Sequence, residues 1–348
     1  MSKTLYLELS DKSKKIFKSV IELYLESGDP VGSETLSKKL GINISASNIR
    51  SIMSNLQDEG LLFAPHVSAG RLPTDKGMRY FVDGLLEFGR LSKNERETIK
   101  NQCQSKGISF EDVLDKASKT LSGLSKCACF VVAPKYQNKI KHIEFIRLSS
   151  NQVMSIVANE NGLVENRILD SSNNYNEDTL REVSNYLNSK FRGKTIEEIK
   201  RKINIEIKNS QIELNAISQK LVQEGIIELA PNFENPYIFL HGQSSLLEDE
   251  IISKNLDRMR SIFDDIENKS NFLSILDSTT KGKGVQIFIG AQNFLFNHSG
   301  LSMVMAPYIN NEQKIIGAIG VLGPMRINYA KIVPLVDYTS KVIGRILS

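Results

Sequence analysis

Three short segments near the start of the chain carry apolar residues at helical spacing. The first begins at a capping serine, Ser10, and stops at Gly28, the second follows Ser33, and the third runs from Ser45 to Gly60. A serine before the first helical turn and a glycine just after the last one are the usual signals for the start and the end of a helix. Three short helices joined by tight turns predict a helix-turn-helix arrangement.

The third predicted helix has a polar face without acidic residues. Its apolar stripe consists of Ile49, Ile52, Met53 and Leu56, and small hydroxyls, amides and one guanidinium lie off that stripe. An ordinary solvated helix face would usually carry pairs of Glu and Lys, whereas these groups suit short-range contacts with base edges and phosphates in a major groove. The pattern favours a recognition helix, whose candidate residues are Ser45, Ser47, Asn48, Arg50, Ser51, Ser54 and Asn55.

Two short extended runs follow this helix and enclose a tip of small residues. A glycine in the tip is expected to take the positive φ that a tight hairpin needs. A hairpin appended to a helix-turn-helix is a wing, which lies along the phosphate backbone or in the minor groove. For Arg71 a surface ion pair is the alternative reading, and for His66 a packing role. The predicted wing residues are His66, Ser68, Ala69, Gly70 and Arg71.

A fourth helix is predicted after the wing. Thr74 is expected to cap it, and the large residues Tyr80, Phe81, Leu85 and Phe88 indicate docking onto another part of the chain. Basic and hydroxyl side chains around the recognition helix are candidates for phosphate contacts, which add affinity without sequence preference. These candidates are Lys14, Ser33, Lys38, Thr74 and Lys76.

Beyond residue 108 the period of the apolar residues changes from 3.6 to 2, which predicts strands. Strands are predicted at 127–134, 141–149, 152–162, 164–170, 226–229, 237–240, 284–290, 302–309 and 314–324, with charged helices from 173 onward, a helix at 246–266 and a closing helix at 329–347. This order is typical of one α+β domain interrupted by an insert. We expect the two β-rich stretches to share a sheet, because separate small sheets would expose more strand edges.

The composition is typical of a soluble globular protein with two or three domains. The chain has 348 residues, of which 41% are hydrophobic and 24% charged. No apolar run approaches the ~18 residues of a membrane span, and the N-terminus has no apolar signal core, so a cytoplasmic location is expected. The formal net charge is only +4, so a nucleic-acid surface must arise from the placement of charges.

Motifs for catalysis and cofactor binding are absent from the sequence. There is no Walker-type phosphate loop, no dinucleotide fingerprint and no nucleophile elbow. Cys103, Cys127 and Cys129 are expected to be free thiols, and the spacing of the last two is not that of a zinc knuckle. We therefore expect no catalytic residue, cofactor or metal, with an enzyme site assembled from distant residues as the remaining alternative.

Residues 29–83 closely resemble the N-terminal signature of the heat-inducible transcription repressor HrcA family. The resemblance covers the turn and helix in "DPVGSETLSKKL", the wing in "SAGR" and the start of the fourth helix in "PTDKGMRYF". The closing segment "GVLGPMRINYAKIVPLVDYTSKVIGRIL", residues 320–347, is similar to the end of the same family. Residues 173–275 match only in their helix-rich character.

The resemblance implies a multidomain α+β repressor. Its parts would be a winged-helix DNA-binding domain at 1–88, a connector at 89–107, a GAF-like α+β domain at 108–172 and 276–348, and an inserted, helix-rich dimerisation domain at 173–275. The family is a homodimer that binds double-stranded DNA at an inverted-repeat operator named CIRCE, and its activity depends on the GroEL chaperonin.

The same resemblance places recognition on the third helix and the wing at 68–71. The chain departs from the family pattern after Arg50, where Asn and Glu are common and Ser51 and Ile52 stand here. We expect the operator preference to differ in detail at this point. The main alternative function is a winged-helix regulator that responds to a small ligand, and a module that binds no DNA is the third reading.

Overall fold

The computed structural model describes most of the chain. The described residues are 9–40, 44–66, 69–104, 110–133, 139–160, 164–170, 175–208, 221, 237–247, 260–261, 264, 284–290, 301–310 and 315–347. The predicted strand at 226–229, most of the predicted helix at 246–266, and Gly41, Val67 and Ser68 lie outside them.

The N-terminal part has the predicted winged-helix architecture. Its elements are α1 (Asp11–Ser27), α2 (Ser33–Leu40), α3 (Ala46–Asp58), the antiparallel hairpin β1 (Leu62–Phe63) and β2 (Leu72–Pro73), and α4 (Asp75–Gly84). Val31 forms a further bridge beside the hairpin, opposite Arg71. Helices and hairpin enclose a core that includes Phe17, Ile49 and Phe81.

The helix starts predicted from the sequence are confirmed at three positions. The side-chain oxygens of Ser10, Ser45 and Thr74 accept hydrogen bonds from the backbone N–H three residues later, at 3.2, 3.3 and 3.0 Å. Gly28 ends α1 in the left-handed conformation, with φ of 77°. Ser33 is the first residue of α2 and not its cap.

A five-stranded antiparallel sheet forms the centre of the second part. Its strands are β3 (Ala128–Ala133), β7 (Tyr237–His241), β8 (Gln286–Ile289), β9 (Leu301–Ile309) and β10 (Ile315–Pro324), in the order β7-β3-β10-β9-β8. Helices α5 (Lys93–Cys103), α6 (Phe110–Ser125) and α9 (Tyr329–Ile346) pack with it. We call this assembly the large-sheet unit.

The connector at 89–107 carries a helix, as predicted, and this helix is α5. It buries Ile99 and Cys103 against α6 and α9, so the segment is part of a core. Helix α6 was not predicted, although its buried residues Leu114, Ala117 and Leu121 have helical spacing.

The expectation that the two β-rich stretches share a sheet is confirmed for β3, which pairs with β10. It is wrong for the other three strands of the first stretch, which form a separate three-stranded antiparallel sheet. This sheet consists of β4 (Ile140–Arg147), β5 (Gln152–Asn159) and β6 (Val164–Asp170), and helices α7 (Glu177–Phe191) and α8 (Ile196–Lys208) share its own buried cluster. We call it the small-sheet unit. Strand β7, predicted inside the insert, pairs with β3 instead.

The burial patterns of the strands give the physical reason for this division. Every residue of β3 is buried, because β3 lies between β7 and β10 and its alternate side chains join two different buried clusters, one on each face of the sheet. Buried and half-buried residues alternate along β5, because α7 and α8 share a buried cluster with only one face of the small sheet. The two patterns therefore belong to different sheets. The exact domain limits stay a prediction, and the pairing supports an insert that begins after β3 and ends before β7.

Candidate nucleic-acid interface

Helix α3 presents its polar face to solvent. Burial of Ile49, Met53 and Leu56 anchors its other face in the core, and the Ser45 cap fixes its first turn. The seven predicted recognition residues are all exposed, namely Ser45, Ser47, Asn48, Arg50, Ser51, Ser54 and Asn55. Ile52 is half-buried and packs against the core. The face that would meet DNA is therefore accessible from outside the chain.

The side chains on the polar face of α3 form few hydrogen bonds or ion pairs with other described residues. Within that part of the chain, the Arg50 guanidinium takes part in no ion pair or hydrogen bond that competes with a ligand. The first acidic residue of α3 is Asp58, at its last position. A cation and short polar groups on a helix face with no acid before Asp58 suit a negatively charged ligand.

A polar cleft of about 310 Å³ lies between α3, the start of α2 and the hairpin. Arg50 and Met53 line it from α3, and Arg71 lines it from the hairpin. Ser33 and Glu34 line it from α2, and Gly32 lines it from the turn before α2, so the cleft holds one carboxylate beside two guanidinium groups. Unpaired backbone N–H groups at the start of a helix favour anions. Gly32 was not predicted as a lining residue, and its position directly before α2 is the signal that could have found it.

The hairpin is fixed to the α1–α2 turn through its backbone. The N–H of Val31 donates to the carbonyl of Arg71, and the N–H of Arg71 donates to the carbonyl of Val31, both at 2.9 Å. The Arg71 side chain is half-buried, with Nη1 donating to the carbonyl of Ala69 at 3.3 Å. Its Nε is buried and has no hydrogen-bond partner among the described residues. His66 is exposed, and Ser68 lies outside the described residues.

The role of Gly70 differs from the prediction. Its φ is not among the positive values that the backbone adopts at other glycines. A Cβ at this position would lie 2.5 Å from the carbonyl carbon and oxygen of Val31, which is far below ordinary contact distance. Gly70 is therefore required by close approach to the α1–α2 turn and not by the conformation of the tip.

Two of the predicted phosphate-contact residues have bonds within the chain. The Thr74 hydroxyl donates to the carbonyl of Gly60 at 2.7 Å and caps α4. The Lys76 ammonium donates to the carbonyl of Glu59 at 2.8 Å, at the end of α3. The other three candidates, Lys14, Ser33 and Lys38, are half-buried or exposed.

The described residues support neither metal binding, nor a reactive thiol, nor membrane insertion. They contain no group of His, Cys, Asp or Glu side chains that could hold a metal ion. Burial raises the pKa of the Cys103 and Cys127 thiols to about 11 and raises the pKa of the Cys129 thiol further, which leaves them protonated and unreactive. No helix in this part of the chain has the length and the apolar character to cross a membrane.

The exposed polar face of α3, the hairpin beside it and the mixed α and β body define a multidomain winged-helix protein of the transcription-regulator class. Residues 111–333 match the family described as HrcA protein C terminal domain. "Heat-inducible transcription repressor HrcA" of Caulobacter vibrioides (strain NA1000 / CB15N) is 42% identical over 341 residues, covering 98% of this chain and 95% of the relative. The chain belongs to the HrcA family of heat-inducible transcription repressors, which are not enzymes.

A second relative bears the same name, and one solved structure shares the fold. The protein of the same name from Brucella canis (strain ATCC 23365 / NCTC 10854 / RM-666) is 43% identical over 343 residues, covering 97% of this chain and 96% of the relative. A solved structure titled "Crystal structure of a hypothetical protein at 2.2 A resolution" has a TM-score of 0.67 at 21% identity, covering 97% of this chain and 98% of that one. The latter likeness concerns the fold alone.

Proposed function

We propose that this repressor binds an inverted-repeat operator of the CIRCE type as a homodimer and silences chaperone operons until heat inactivates it. The observation that carries the proposal is the exposed, acid-free face of α3 beside the polar cleft and the hairpin. A repressor acts where the DNA is, so the proposed location is the cytoplasm.

In the proposed complex α3 lies in the major groove. Asn48 and Arg50 lie in the first half of α3, and their side chains suit bidentate contacts with adenine and guanine respectively. Arg71 and the start of α2, which line the cleft between α2, α3 and the hairpin, hold a neighbouring backbone phosphate. The hairpin follows the neighbouring backbone or minor groove.

The proposed dimer accounts for the symmetry of such an operator. Two copies related by a two-fold axis present identical α3 helices, so their half-sites must form an inverted repeat. Self-association through the small-sheet unit is supported by its uncovered face, where Ile146, Met154 and Ile168 are aligned across three strands. Ile168 is 60% exposed and Ile146 39% exposed. An apolar row of this kind on an outer face marks an interaction surface.

The dimer surface can be tested with charged substitutions. Ile146→Asp combined with Ile168→Asp should shift the sedimentation coefficient from dimer to monomer, because burying two carboxylates in the contact is costly. Ile205→Asp is the matched control, since Ile205 is equally exposed at 58% but lies on α8. A dimer that persists in the double variant would exclude this face.

The response to heat is proposed to depend on refolding by the GroEL chaperonin. A multidomain dimer loses its DNA site when association or folding fails, and a chaperonin occupied by other substrates would leave it inactive. Operator occupancy after a heat pulse, followed with and without chaperonin, tests this step. Full recovery without chaperonin would contradict it.

The readout by α3 is tested by binding to operator and scrambled DNA. Arg50→Ala and Asn48→Ala should each lose about 1–3 kcal/mol of discrimination, which is about 5- to 150-fold. Lys38→Ala should weaken binding to both DNAs by the same factor and reduce the salt dependence of binding. Lys39→Ala is the control, because its ammonium is engaged with Glu26 at 2.7 Å. Unchanged binding of both DNAs by Arg50→Ala would refute the assignment.

A second candidate function, regulation by a small ligand, is favoured by one cleft in the large-sheet unit. This cleft of about 330 Å³ lies between β9 and α9 and is lined by Asp337, Ser340, Lys341 and Arg345. Small acids and phosphates are the matching ligand classes. A rise in melting temperature with such a ligand, together with altered operator affinity, would support it.

A further inference from the structure

Helix α4 connects the winged helix to the large-sheet unit through charged side chains. Nε of Arg79 donates to Oδ2 of Asp83 at 2.7 Å, and Nη1 of Arg79 donates to the carbonyl of Ile287 in β8. Strand β8 is an edge of the large sheet, and an edge strand has carbonyls without a strand partner. Arg79 satisfies one of these carbonyls from the other domain.

The start of α4 makes a second contact with the same strand region. The Asp75 carboxylate occupies the space that a Cβ would take at Gly290, directly after β8. Gly290 also has a positive φ of 57°. Only glycine meets both requirements, so the backbone after β8 is shaped to receive the Asp75 side chain.

A third contact lies at the end of α1. The Arg326 guanidinium, from the loop between β10 and α9, occupies the space beside Gly28, with its Cζ 3.2 Å from the position of a Cβ. Gly28 is the left-handed residue that ends α1. A cation at the carboxyl end of a helix is favoured by the helix dipole. Contacts on two different helices, α1 and α4, restrict rotation between the domains.

The segment between the two parts is also fixed. The N–H of Gly89 donates to the carbonyl of Ala330 in α9 at 3.0 Å. One continuous buried cluster contains Phe81 of the winged helix together with Ile289 and Tyr329 of the large-sheet unit. A freely swinging domain on a flexible tether would show neither feature.

We infer that Asp75, Arg79 and Arg326 are positioning residues that hold α3 in one orientation relative to the large-sheet unit. In a dimer the distance between the two α3 helices is then set by the protein, so the operator is bound at one half-site spacing. This inference rests on the proposed function. It assigns these three residues to spacing selectivity and not to contact with DNA.

The orientation can be measured without DNA. Spin labels at Lys39→Cys on α2 and Lys341→Cys on α9 report the distance between the two parts, with the labelled protein diluted in unlabelled protein so that one protomer of each dimer carries labels. Both lysines are exposed, and the three native thiols are buried. The distance distribution should be narrow in the parent and at least twice as broad after Arg79→Ala with Arg326→Ala. Lys93→Ala, in an exposed pair on α5, is the control.

The consequence for recognition is measured with operators of altered spacing. Inserting about half a helical turn, roughly five base pairs, should reduce binding by the parent far more than binding by the Arg79→Ala, Arg326→Ala variant. The ratio of the affinity for the natural operator to the affinity for the operator with the insertion should be at least tenfold lower in the variant than in the parent. The affinity for a single half-site should be unchanged. Arg79→Lys should restore part of the ratio, because it keeps a donor for the Ile287 carbonyl.

The outcomes separate this inference from the proposed function. A distance distribution that is already broad in the parent, or unchanged in the variant, overturns the positioning role whatever the DNA result. Equal spacing dependence in parent and variant overturns it as well, and so does tighter binding of the natural spacing by the variant. Failure of the parent to bind any inverted repeat would contradict the proposed function, and the distance measurement would still test the positioning role.

Discussion

Replacing Gly70 by alanine should detach the wing from the body of the winged helix. The added Cβ would lie 2.5 Å from the carbonyl carbon and oxygen of Val31 and 2.8 Å from the carbonyl carbon of Pro30. Ordinary carbon contacts are about 3.5 Å or longer, so the two backbones must separate by about 1 Å. These neighbours are backbone atoms, which cannot rotate away as a flexible side chain would.

The size of the effect of Gly70→Ala follows from the hydrogen bonds that the separation of the two backbones breaks. Val31 and Arg71 exchange two backbone hydrogen bonds of 2.9 Å, each worth about 0.5–1.5 kcal/mol. The free energy needed to open the wing should therefore fall by about 1–3 kcal/mol. This corresponds to about 5- to 150-fold faster exchange of the Val31 and Arg71 amide hydrogens. Operator affinity should fall with it, because the Arg71 side chain moves with the hairpin.

Hydrogen exchange by mass spectrometry on residues 29–33 and 69–73 measures the opening directly. Gly84→Ala is the matched control, since a Cβ at Gly84 would meet nothing within 4 Å, and its exchange and binding should resemble those of the parent. Exchange at Val31 and Arg71 that is unchanged in Gly70→Ala would refute the role assigned to close packing.

Three further predictions concern the large-sheet unit. The Cys103 and Cys127 thiols, whose pKa values burial raises to about 11, should resist alkylation in the native protein at pH 8 and react only in denaturant; rapid native labelling would contradict their burial. Ser92→Ala should destabilise α5 by about 1 kcal/mol, because Ser92 and Glu95 form a reciprocal capping box. The Ser92 backbone N–H lowers the pKa of Glu95 below 4.5, so this carboxylate stabilises the fold above about pH 4.5 and the contribution is lost as the pH falls through the lowered value. The difference in melting temperature between the parent and Glu95→Gln should shrink below that pH, and a difference that stays constant down to pH 3 would contradict the cap.

Much of the winged helix could be predicted from the sequence because its signals are local. A capping hydroxyl at Ser45, an apolar stripe at Ile49, Met53 and Leu56, and the absence of acids between them are all contained within one helix. Helical period and capping depend on residues three or four positions apart. The orientation of the polar face toward solvent then follows from burial of the opposite stripe.

Strand partners were harder to predict because pairing joins residues that are far apart in the chain. The two β-rich stretches gave similar alternating or apolar patterns, yet β3 pairs with β10 and β7 while β4, β5 and β6 pair among themselves. The local sign of the separate sheets is that β3 is buried at every position, whereas buried and half-buried residues alternate along β5. The unpredicted α6 is a different case, because its buried residues Leu114, Ala117 and Leu121 have helical spacing within one helix.

The sequence by itself determined the class of protein, through a helix-turn-helix with a recognition face and a hairpin whose residue types suit DNA. Tertiary structure alone decided why Gly70 is glycine, that the Thr74 hydroxyl donates to the carbonyl of Gly60, and that Arg79 reaches the carbonyl of Ile287 more than 200 residues later. The physical reason is that helix signals act over one or two turns of chain. Close backbone approaches and contacts between domains exist only after distant segments have packed together.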